Sequence, residues 1–221
     1  MGEMIELTAA CGHKFAAYAA GDPSARRGLV VVQEIFGING HMRRVSDHLA
    51  GFGYRVISPA LFDRAERGVE LEYTPDGVQR GLALRAAIDD AAVMRDIEAS
   101  AAALSPRPTG IIGYCWGGSI AWWGATQSKS FKDAIGWYGG GIAASKDAQP
   151  GCPVQLHFGA EDKGIPLSDV NAIQQAHPGL PIYVYPGADH GFGCDDRASF
   201  HAQANEIAEH RSLAFFAEHL V

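Results

Sequence analysis

A cysteine stands between two glycines in the stretch Gly113-Tyr114-Cys115-Trp116-Gly117. This spacing is that of a tight turn which joins a strand to a helix and presents a nucleophilic side chain. Glycine suits positions 113 and 117 because side chains there would collide with neighbouring backbone. A helix that begins just after the cysteine favours its thiolate through the helix dipole. The stretch therefore predicts that Cys115 is a nucleophile.

An activated cysteine needs a base, and a histidine and an acid follow it in the chain. Asp162 lies in the loop LHFGAEDKGIP and His190 in the loop VYPGADHGF, each just beyond an apolar run typical of a strand. Ligands bind at the carboxyl ends of the strands in open α/β sheets. We therefore predict a triad of Cys115, His190 and Asp162, with Glu161 and Asp189 as alternative acids.

The elements that must position these residues alternate along the chain. The apolar runs LVVVQEI, YRVISPAL, TGIIGYC, DAIGWYGG, CPVQLHFG and LPIYVYP predict strands, and helical patterns separate most of them. Residues 3–20 predict an antiparallel ribbon turned at Gly12, and residues 77–104 and 197–219 predict helices. The fold class predicted is α/β: a three-layer α/β/α sandwich around a mostly parallel, doubly wound sheet with an antiparallel N-terminal edge, in one domain over residues 1–221.

The composition argues against several kinds of partner. The 221 residues are 47% apolar and carry a formal net charge of −7, without a run of Lys and Arg. Binding to nucleic acid or to a membrane is therefore not expected. Four cysteines without a C-x-x-C pair, and no signal-peptide pattern, predict a cytoplasmic protein. The scattered histidines predict no metal site. We expect no cofactor, and a monomer or a weak homodimer.

Four segments resemble the dienelactone hydrolase (carboxymethylenebutenolidase) family, which has the α/β-hydrolase fold. They are VVQEIFGINGHMRRVSDHLAGFGYRVISPALF, GYCWGG, GAEDKGIP and GADHGF, and the resemblance extends over nearly the whole chain. It implies hydrolysis of a small ester or lactone through an acyl-thioester intermediate. It also implies that Cys115, His190 and Asp162 form the Cys-His-Asp triad of the family.

Two further roles follow from this resemblance, for residues of the stretch QEIFGIN and of the elbow. Glu34 is implied to lie against the thiol, to keep it unreactive at rest and to take its proton as substrate binds. The physics agrees, because a carboxylate beside a thiol disfavours the thiolate. The backbone N–H groups of Ile35 and Trp116 are implied to form the oxyanion hole.

Substrate contacts are predicted less sharply. Enzymes of the family that open dienelactone hold its carboxylate with two arginines. Spacing places the first at Arg80 or Arg85 and leaves both open. The second would fall at position 194, which is a cysteine here, and Arg197 lies three residues further on. Tyr138, which ends a predicted strand beside the elbow helix, is a further candidate for the substrate pocket.

Two other kinds of protein share parts of this pattern. Class I glutamine amidotransferases also use G-x-C-x-G on an α/β sheet, but they place a glutamate two residues after the histidine, where this chain has Phe192. A protein of the same fold that senses redox state or binds a ligand through Cys115 is the alternative outside catalysis. Ester turnover that depends on Cys115 distinguishes the hydrolase from this alternative.

Overall fold

The computed structural model describes residues 1–221 and contains eight strands and six α-helices. The strands are Glu3–Thr8 (β1), Lys14–Ala20 (β2), Arg27–Val32 (β3), Tyr54–Pro59 (β4), Thr109–Tyr114 (β5), Ala134–Trp137 (β6), Val154–Gly159 (β7) and Ile182–Tyr185 (β8). The helices are Gly40–Gly51 (α1), Pro75–Ala86 (α2), Asp90–Leu104 (α3), Trp116–Gln127 (α4), Leu167–Ala176 (α5) and Ala202–His219 (α6). None of the helices combines the length and the apolar character that crossing a bilayer requires.

The strands form one sheet in the order β1-β2-β4-β3-β5-β6-β7-β8. β2 runs antiparallel to both β1 and β4, whereas the pairs β3–β4, β6–β7 and β7–β8 are parallel. Helices separate the parallel strands along the chain and flank the sheet. This confirms the predicted α/β class, with a mostly parallel sheet and an antiparallel N-terminal edge.

Residues Met1–Ile111 form one compact unit. Strand β3 of this unit is buried from Leu29 to Val32, which explains why this stretch is a continuous apolar run and not an alternating one. Helices α1 and α3 pack against β4, and α3 also packs against β3. A bidentate ion pair lies within this unit. Nε and Nη2 of Arg64 each donate to a carboxylate oxygen of the buried Asp96 over 2.7 Å.

Residues Ile112–Val221 form a second compact unit. Every residue of β6 and β7 is buried, and α4 packs against β6 while α6 packs against β7. The parallel strands β6, β7 and β8 end at the same edge, so the loops that follow them lie side by side. The single domain expected from the sequence stays a prediction.

The last helix begins later than the sequence pattern indicated. A start at residue 197 was predicted, but α6 starts at Ala202, where the His201 side chain accepts a hydrogen bond from the N–H of Ala204. Two turns occupy the preceding residues, since Arg197 N–H donates to the carbonyl of Cys194 and Phe200 N–H to the carbonyl of Arg197. These turns satisfy the backbone locally and keep the segment out of the helix.

Candidate active site

Cys115 occupies the turn between β5 and α4, as predicted. Its backbone has φ 57° and ψ −115°, a conformation that is strained for a residue with a side chain. The Cys115 N–H donates to the carbonyl of Trp137 at the end of β6 over 3.0 Å, and its carbonyl accepts from the N–H of Gly118 over 3.0 Å. Trp116 is the first residue of α4. These bonds hold the turn, and Cys115 remains partly exposed.

The glycines of the turn permit backbone contacts that a side chain would block. A Cβ atom added at Gly113 would lie 1.9 Å from the carbonyl oxygen of Gly117. A Cβ atom added at Gly118 would lie 2.4 Å from the carbonyl oxygen of Trp137. Backbone cannot move aside as a side chain can, so the collision predicted at position 113 is confirmed.

Asp162 lies in the loop after β7, and its side chain has no exposed surface. Its Oδ1 atom accepts hydrogen bonds from the N–H groups of Gly164 and Ile165, over 2.8 and 3.1 Å. Burial alone would raise the pKa of this carboxyl, but the His190 hydrogen bond and charge, with the two backbone N–H groups, lower it. The carboxylate is therefore ionised and fixed in orientation.

His190 lies in the loop after β8 and links the acid to the sulfur. Its Nδ1 atom is 2.7 Å from Oδ2 of Asp162, and its Nε2 atom is 3.1 Å from Sγ of Cys115. Because the carboxylate only accepts, Nδ1 is the donor of the first bond. The structure thus brings together the three residues predicted to form a triad.

The electrostatics of His190 favour its charged form. Burial alone would lower the pKa of His190, but the hydrogen bonds to Asp162 and to Cys115 raise it to about 10. The imidazole is therefore protonated at neutral pH. The imidazolium lies 3.1 Å from Sγ of Cys115, where it can balance a negative charge that develops on the sulfur during a reaction.

Backbone hydrogen bonds join the loop of the acid to the loop of the histidine. Ala160 N–H donates to the carbonyl of Tyr185, and Glu161 N–H to the carbonyl of Ala188, each over 2.9 Å. Gly159 allows this approach, since a Cβ atom there would lie 2.4 Å from the carbonyl oxygen of Ala188. The loops that follow the neighbouring parallel strands β7 and β8 therefore place the side chains of Asp162 and His190 next to each other.

The alternative acids are placed differently. Glu161 and Asp189 are both exposed. Asp189 Oδ1 accepts a hydrogen bond from the backbone N–H of His190 over 2.6 Å, so it contacts the main chain of that residue and not the ring. Asp162 is the carboxylate bonded to the imidazole in this structure.

A buried polar network lies behind the site, and the sequence did not predict it. Nδ1 of His157 is 2.8 Å from Tyr185 Oη, and Nε2 is 2.9 Å from Gln155 Oε1 and 3.2 Å from Ser212 Oγ. Ser212 Oγ also accepts from Trp137 Nε1 over 3.2 Å. The only signal in the sequence was a pair of polar residues, two apart, inside the apolar run CPVQLHFG.

This network holds Trp137, which contacts both the cysteine turn and the loop of the histidine. The Trp137 carbonyl accepts from Cys115, and its ring stacks on Phe192, two residues after His190, at 5.4 Å. Burial and the charge of Arg211 lower the pKa of His157 to about 3, so its ring is neutral. A neutral ring can accept at Nδ1 and donate at Nε2, which matches its partners.

Four of the predicted site residues belong to the first unit. Glu34 follows β3 and is completely buried, and Ile35 beside it is nearly so. Arg80 on α2 forms an ion pair with Glu66 in which both side chains are about half exposed. Arg85 lies in the last turn of α2. Their predicted roles in acid–base chemistry, oxyanion binding and substrate binding stay predictions.

The remaining predicted residues lie near the histidine. The ring of Tyr138 is completely buried and meets the His190 ring edge-on, with 5.2 Å between centroids. Cys194 is completely buried. The guanidinium of Arg197 covers Gly191, where an added Cβ atom would lie 2.5 Å from Nη1. Arg197 follows His190 by seven residues in the chain, and its guanidinium packs against Gly191, the residue next to that histidine.

A cysteine in a strained turn between a strand and a helix of a mostly parallel sheet, with an aspartate and a histidine after later strands, is the arrangement of the α/β-hydrolase fold. The sequence profile of the Dienelactone hydrolase family matches residues 15–220, and the chain belongs to this family. It is accordingly a carboxylic ester hydrolase for small esters or lactones.

Individual relatives support the assignment to this family. A provisionally named carboxymethylenebutenolidase of Synechocystis sp. is 38% identical over 196 residues, covering 80% of this chain and 79% of the relative. The carboxymethylenebutenolidase of Pseudomonas putida is 31% identical over 229 residues, covering 97% and 96%. The crystal structure of a provisionally named dienelactone hydrolase from Klebsiella pneumoniae has 30% identity and a TM-score of 0.83, covering 98% of this chain and 99% of that one.

Proposed function

We propose that this chain hydrolyses small esters or lactones by a Cys-His-Asp triad, with Cys115 as nucleophile and an acyl-thioester as intermediate. One observation carries the proposal. The His190 ring bonds Asp162 through Nδ1 at 2.7 Å and Cys115 Sγ through Nε2 at 3.1 Å. A nucleophile bonded to a base, which is in turn oriented by an acid, is the arrangement that nucleophilic catalysis requires.

In the first half-reaction the Cys115 thiolate attacks the substrate carbonyl carbon and forms a carbon–sulfur bond, while the electron pair of the C=O bond moves to oxygen. The N–H of Trp116 and the N–H of Ile35 are the proposed donors to this oxyanion. The intermediate collapses, and the bond to the leaving oxygen breaks. The Nε2–H of His190 gives its proton to that oxygen as the alcohol or enol leaves.

In the second half-reaction His190 acts as a base. The acylated sulfur carries no charge, so its contribution to the raised pKa of His190 is lost and the pKa falls. The neutral imidazole can then take a proton from water, and the hydroxide attacks the thioester. Collapse releases the carboxylic acid and restores the thiolate beside the imidazolium.

Glu34 keeps its predicted role as the group that takes the thiol proton when substrate binds, and it returns that proton to the sulfur after the acid has left. Arg80 and Arg85 stay the candidates for holding a substrate carboxylate, with Tyr138 as a candidate pocket residue. Binding through Arg80 requires its release from Glu66. Turnover of lactones with and without a carboxylate by Arg80→Ala and Arg85→Ala identifies the residue, because its loss raises KM only for the carboxylate-bearing lactone.

The decisive experiment measures p-nitrophenyl acetate turnover before and after iodoacetamide. The hydrogen bond from Arg64 lowers the pKa of the exposed Cys11 to about 7, so iodoacetamide also alkylates this thiol. A Cys11→Ala background removes that side reaction. In this background, alkylation and the further change Cys115→Ala should each lower kcat by more than about 10³-fold. An acid quench should trap an acetylated protein only when Cys115 is present.

The opposite result is informative. Turnover that persists in Cys115→Ala overturns the mechanism at this residue. An intact, folded protein that forms no acyl-enzyme and turns over no ester or lactone favours the alternative of a redox-sensing or ligand-binding protein that uses Cys115.

A further inference from the structure

A cavity of about 920 Å³ opens in the second unit at the amino ends of β7 and β8. The proposed triad residues Asp162 and His190 follow the carboxyl ends of the same strands. The length of β7, from Val154 to Gly159, is about 16 Å at the usual rise per residue, so the cavity is separate from the triad. Its volume is within the range of small-molecule binding sites.

Arg211 projects from α6 into the wall of this cavity. Its guanidinium carbon lies 4.0 Å from the centroid of the Tyr183 ring, and its Nη1 atom donates to Tyr185 Oη over 3.2 Å. Arg211 has no carboxylate partner in the chain. The Tyr183 ring and the Tyr185 hydroxyl replace part of the water that this half-buried cation has lost, but neither carries a negative charge. The remaining N–H donors of Arg211 suit a carboxylate held by two parallel hydrogen bonds.

The remainder of the wall is mostly apolar. Proline rings and two aromatic rings supply the flat surfaces: Pro150, Pro153, Pro178, Pro181, Tyr183 and Phe215. Rigid flat side chains of this kind accept a planar ring with little loss of conformational freedom. The shape therefore favours an aromatic ligand over a flexible aliphatic one.

The fixed charges limit the ligand to one negative group. Arg211 is the single Arg or Lys of the lining, and Glu218 is its single Asp or Glu. Glu218 follows Arg211 by seven residues on the same helix, about 10 Å along its axis. A second negative group on the ligand would approach this carboxylate, which disfavours dianions. Three histidines, at positions 177, 210 and 219, complete the polar part of the wall.

We propose that this cavity binds a small aromatic monocarboxylate, with the carboxylate on the Nε and Nη2 donors of Arg211 and the ring between the prolines and Phe215. This binding is independent of ester hydrolysis, so it stands or falls apart from the proposed function.

The test is an amide NMR titration of the full chain with sodium benzoate at constant ionic strength. We expect saturable shifts at Tyr183, Arg211 and Ala214, with an apparent Kd of about 1 mM or lower. Arg211→Met should raise the Kd at least tenfold. The matched control is Arg27→Met, which removes another arginine stacked on a tyrosine, Tyr54, at 4.8 Å, and should leave the Kd unchanged.

If Arg211→Met fails to fold, two ligand comparisons on the unmodified chain test the proposal instead. Benzyl alcohol, which lacks the charge, and phthalate, which carries two, should each bind at least tenfold more weakly than benzoate to the unmodified chain. The proposal is overturned if benzoate gives no saturable shifts or shifts only the surroundings of Cys115 and His190. It is equally overturned if benzyl alcohol binds as well as benzoate, or if folded Arg211→Met keeps the original Kd.

Discussion

The Asp162 carboxylate holds the His190 ring at 2.7 Å with one oxygen while two backbone N–H groups hold its other oxygen. The ring therefore cannot turn without breaking a bond to an acid that is itself immobile. This places the imidazole with Nε2 toward Cys115 and fixes which nitrogen carries the proton toward the acid.

Replacing Asp162 by asparagine tests this relationship. Asp162→Asn removes the charge that favours the imidazolium, so the pKa of His190 should fall well below its value of about 10. We expect kcat to fall by about 10³- to 10⁴-fold. The histidine Cε1–H resonance followed against pH measures the first effect, and steady-state kinetics the second.

Asp189→Asn is the matched control for this change. Asp189 adjoins the same histidine but contacts only its backbone N–H. The control should keep the His190 titration and most of the activity. If Asp189→Asn lost activity and Asp162→Asn kept it, the acid of the triad would be assigned to the wrong residue.

The elbow itself should tolerate no side chain at position 113. A Cβ atom there would lie 1.9 Å from the Gly117 carbonyl oxygen, and this backbone contact has no rotamer that relieves it. We expect Gly113→Ala to lower the free energy of unfolding by about 3 kcal/mol. Urea unfolding measures it. Gly179→Ala, with open space around the added atom, should change stability far less. Equal effects of the two changes would contradict the steric argument.

The neutral His157 should make the protein sensitive to acid. Its folded pKa of about 3 lies below the ordinary 6.5, so the unfolded chain takes up a proton that the folded one refuses between these values. The stability it contributes is full above pH 6.5 and is lost as pH falls toward 3, by up to about 1.4 kcal/mol per pH unit. His157→Gln should flatten this part of the stability profile.

Urea unfolding at pH 6.5, 5.5 and 4.5 gives the two slopes to compare. His210→Gln removes an exposed histidine of α6 and should retain the steeper slope of the parent protein. A parent slope that His157→Gln does not change would show that this ring titrates normally when folded.

Asp133 should make folding stability depend on pH in the opposite direction. It precedes β6, is completely buried, and neither of its carboxyl oxygens has a hydrogen-bond partner. Burial raises its pKa from 3.8 to about 8, so the folded state holds a proton that the unfolded state releases. Stability is therefore lost as pH rises from 3.8 to 8. Asp133→Asn should be more stable than the parent at pH 7.5 and lose that advantage at pH 4.5, as measured by urea unfolding.

The control for this prediction is Asp147→Asn, whose carboxylate is 87% exposed. It should unfold like the parent at both pH values. If Asp133→Asn shifted stability by the same amount at pH 4.5 and 7.5, proton uptake at Asp133 would not be the cause.

The strands that precede the three site residues could be predicted, because this depends on local sequence patterns. An apolar run followed by a loop puts a residue at the carboxyl edge whatever its neighbours are, and this placed Cys115, Asp162 and His190 correctly. The sequence left the acid open, because Asp162 and Glu161 are adjacent in the chain. In the structure Asp162 is buried and bonded to the His190 ring, whereas Glu161 is exposed.

Contacts between distant residues could not be predicted in this way. His157 meets Ser212, which is 55 positions later and reaches it only because α6 packs on β7. The late start of α6 had the same origin, because turns after Cys194 satisfied backbone groups that a helical pattern would have used. Periodicity reports which face of an element is apolar, and it does not report which polar atom lies opposite.

Both ring nitrogens of His157 are hydrogen-bonded inside the protein, and this limits which substitutions the chain can accept around that ring. Tyr185 bonds Nδ1 of that ring, whereas Gln155 and Ser212 share Nε2, so replacing Tyr185 leaves a buried nitrogen without a partner at a cost of about 1–3 kcal/mol. Epistasis follows at Nε2, because replacing either Gln155 or Ser212 leaves one partner and replacing both leaves none. Directed-evolution libraries should therefore spare this layer or randomise its members together.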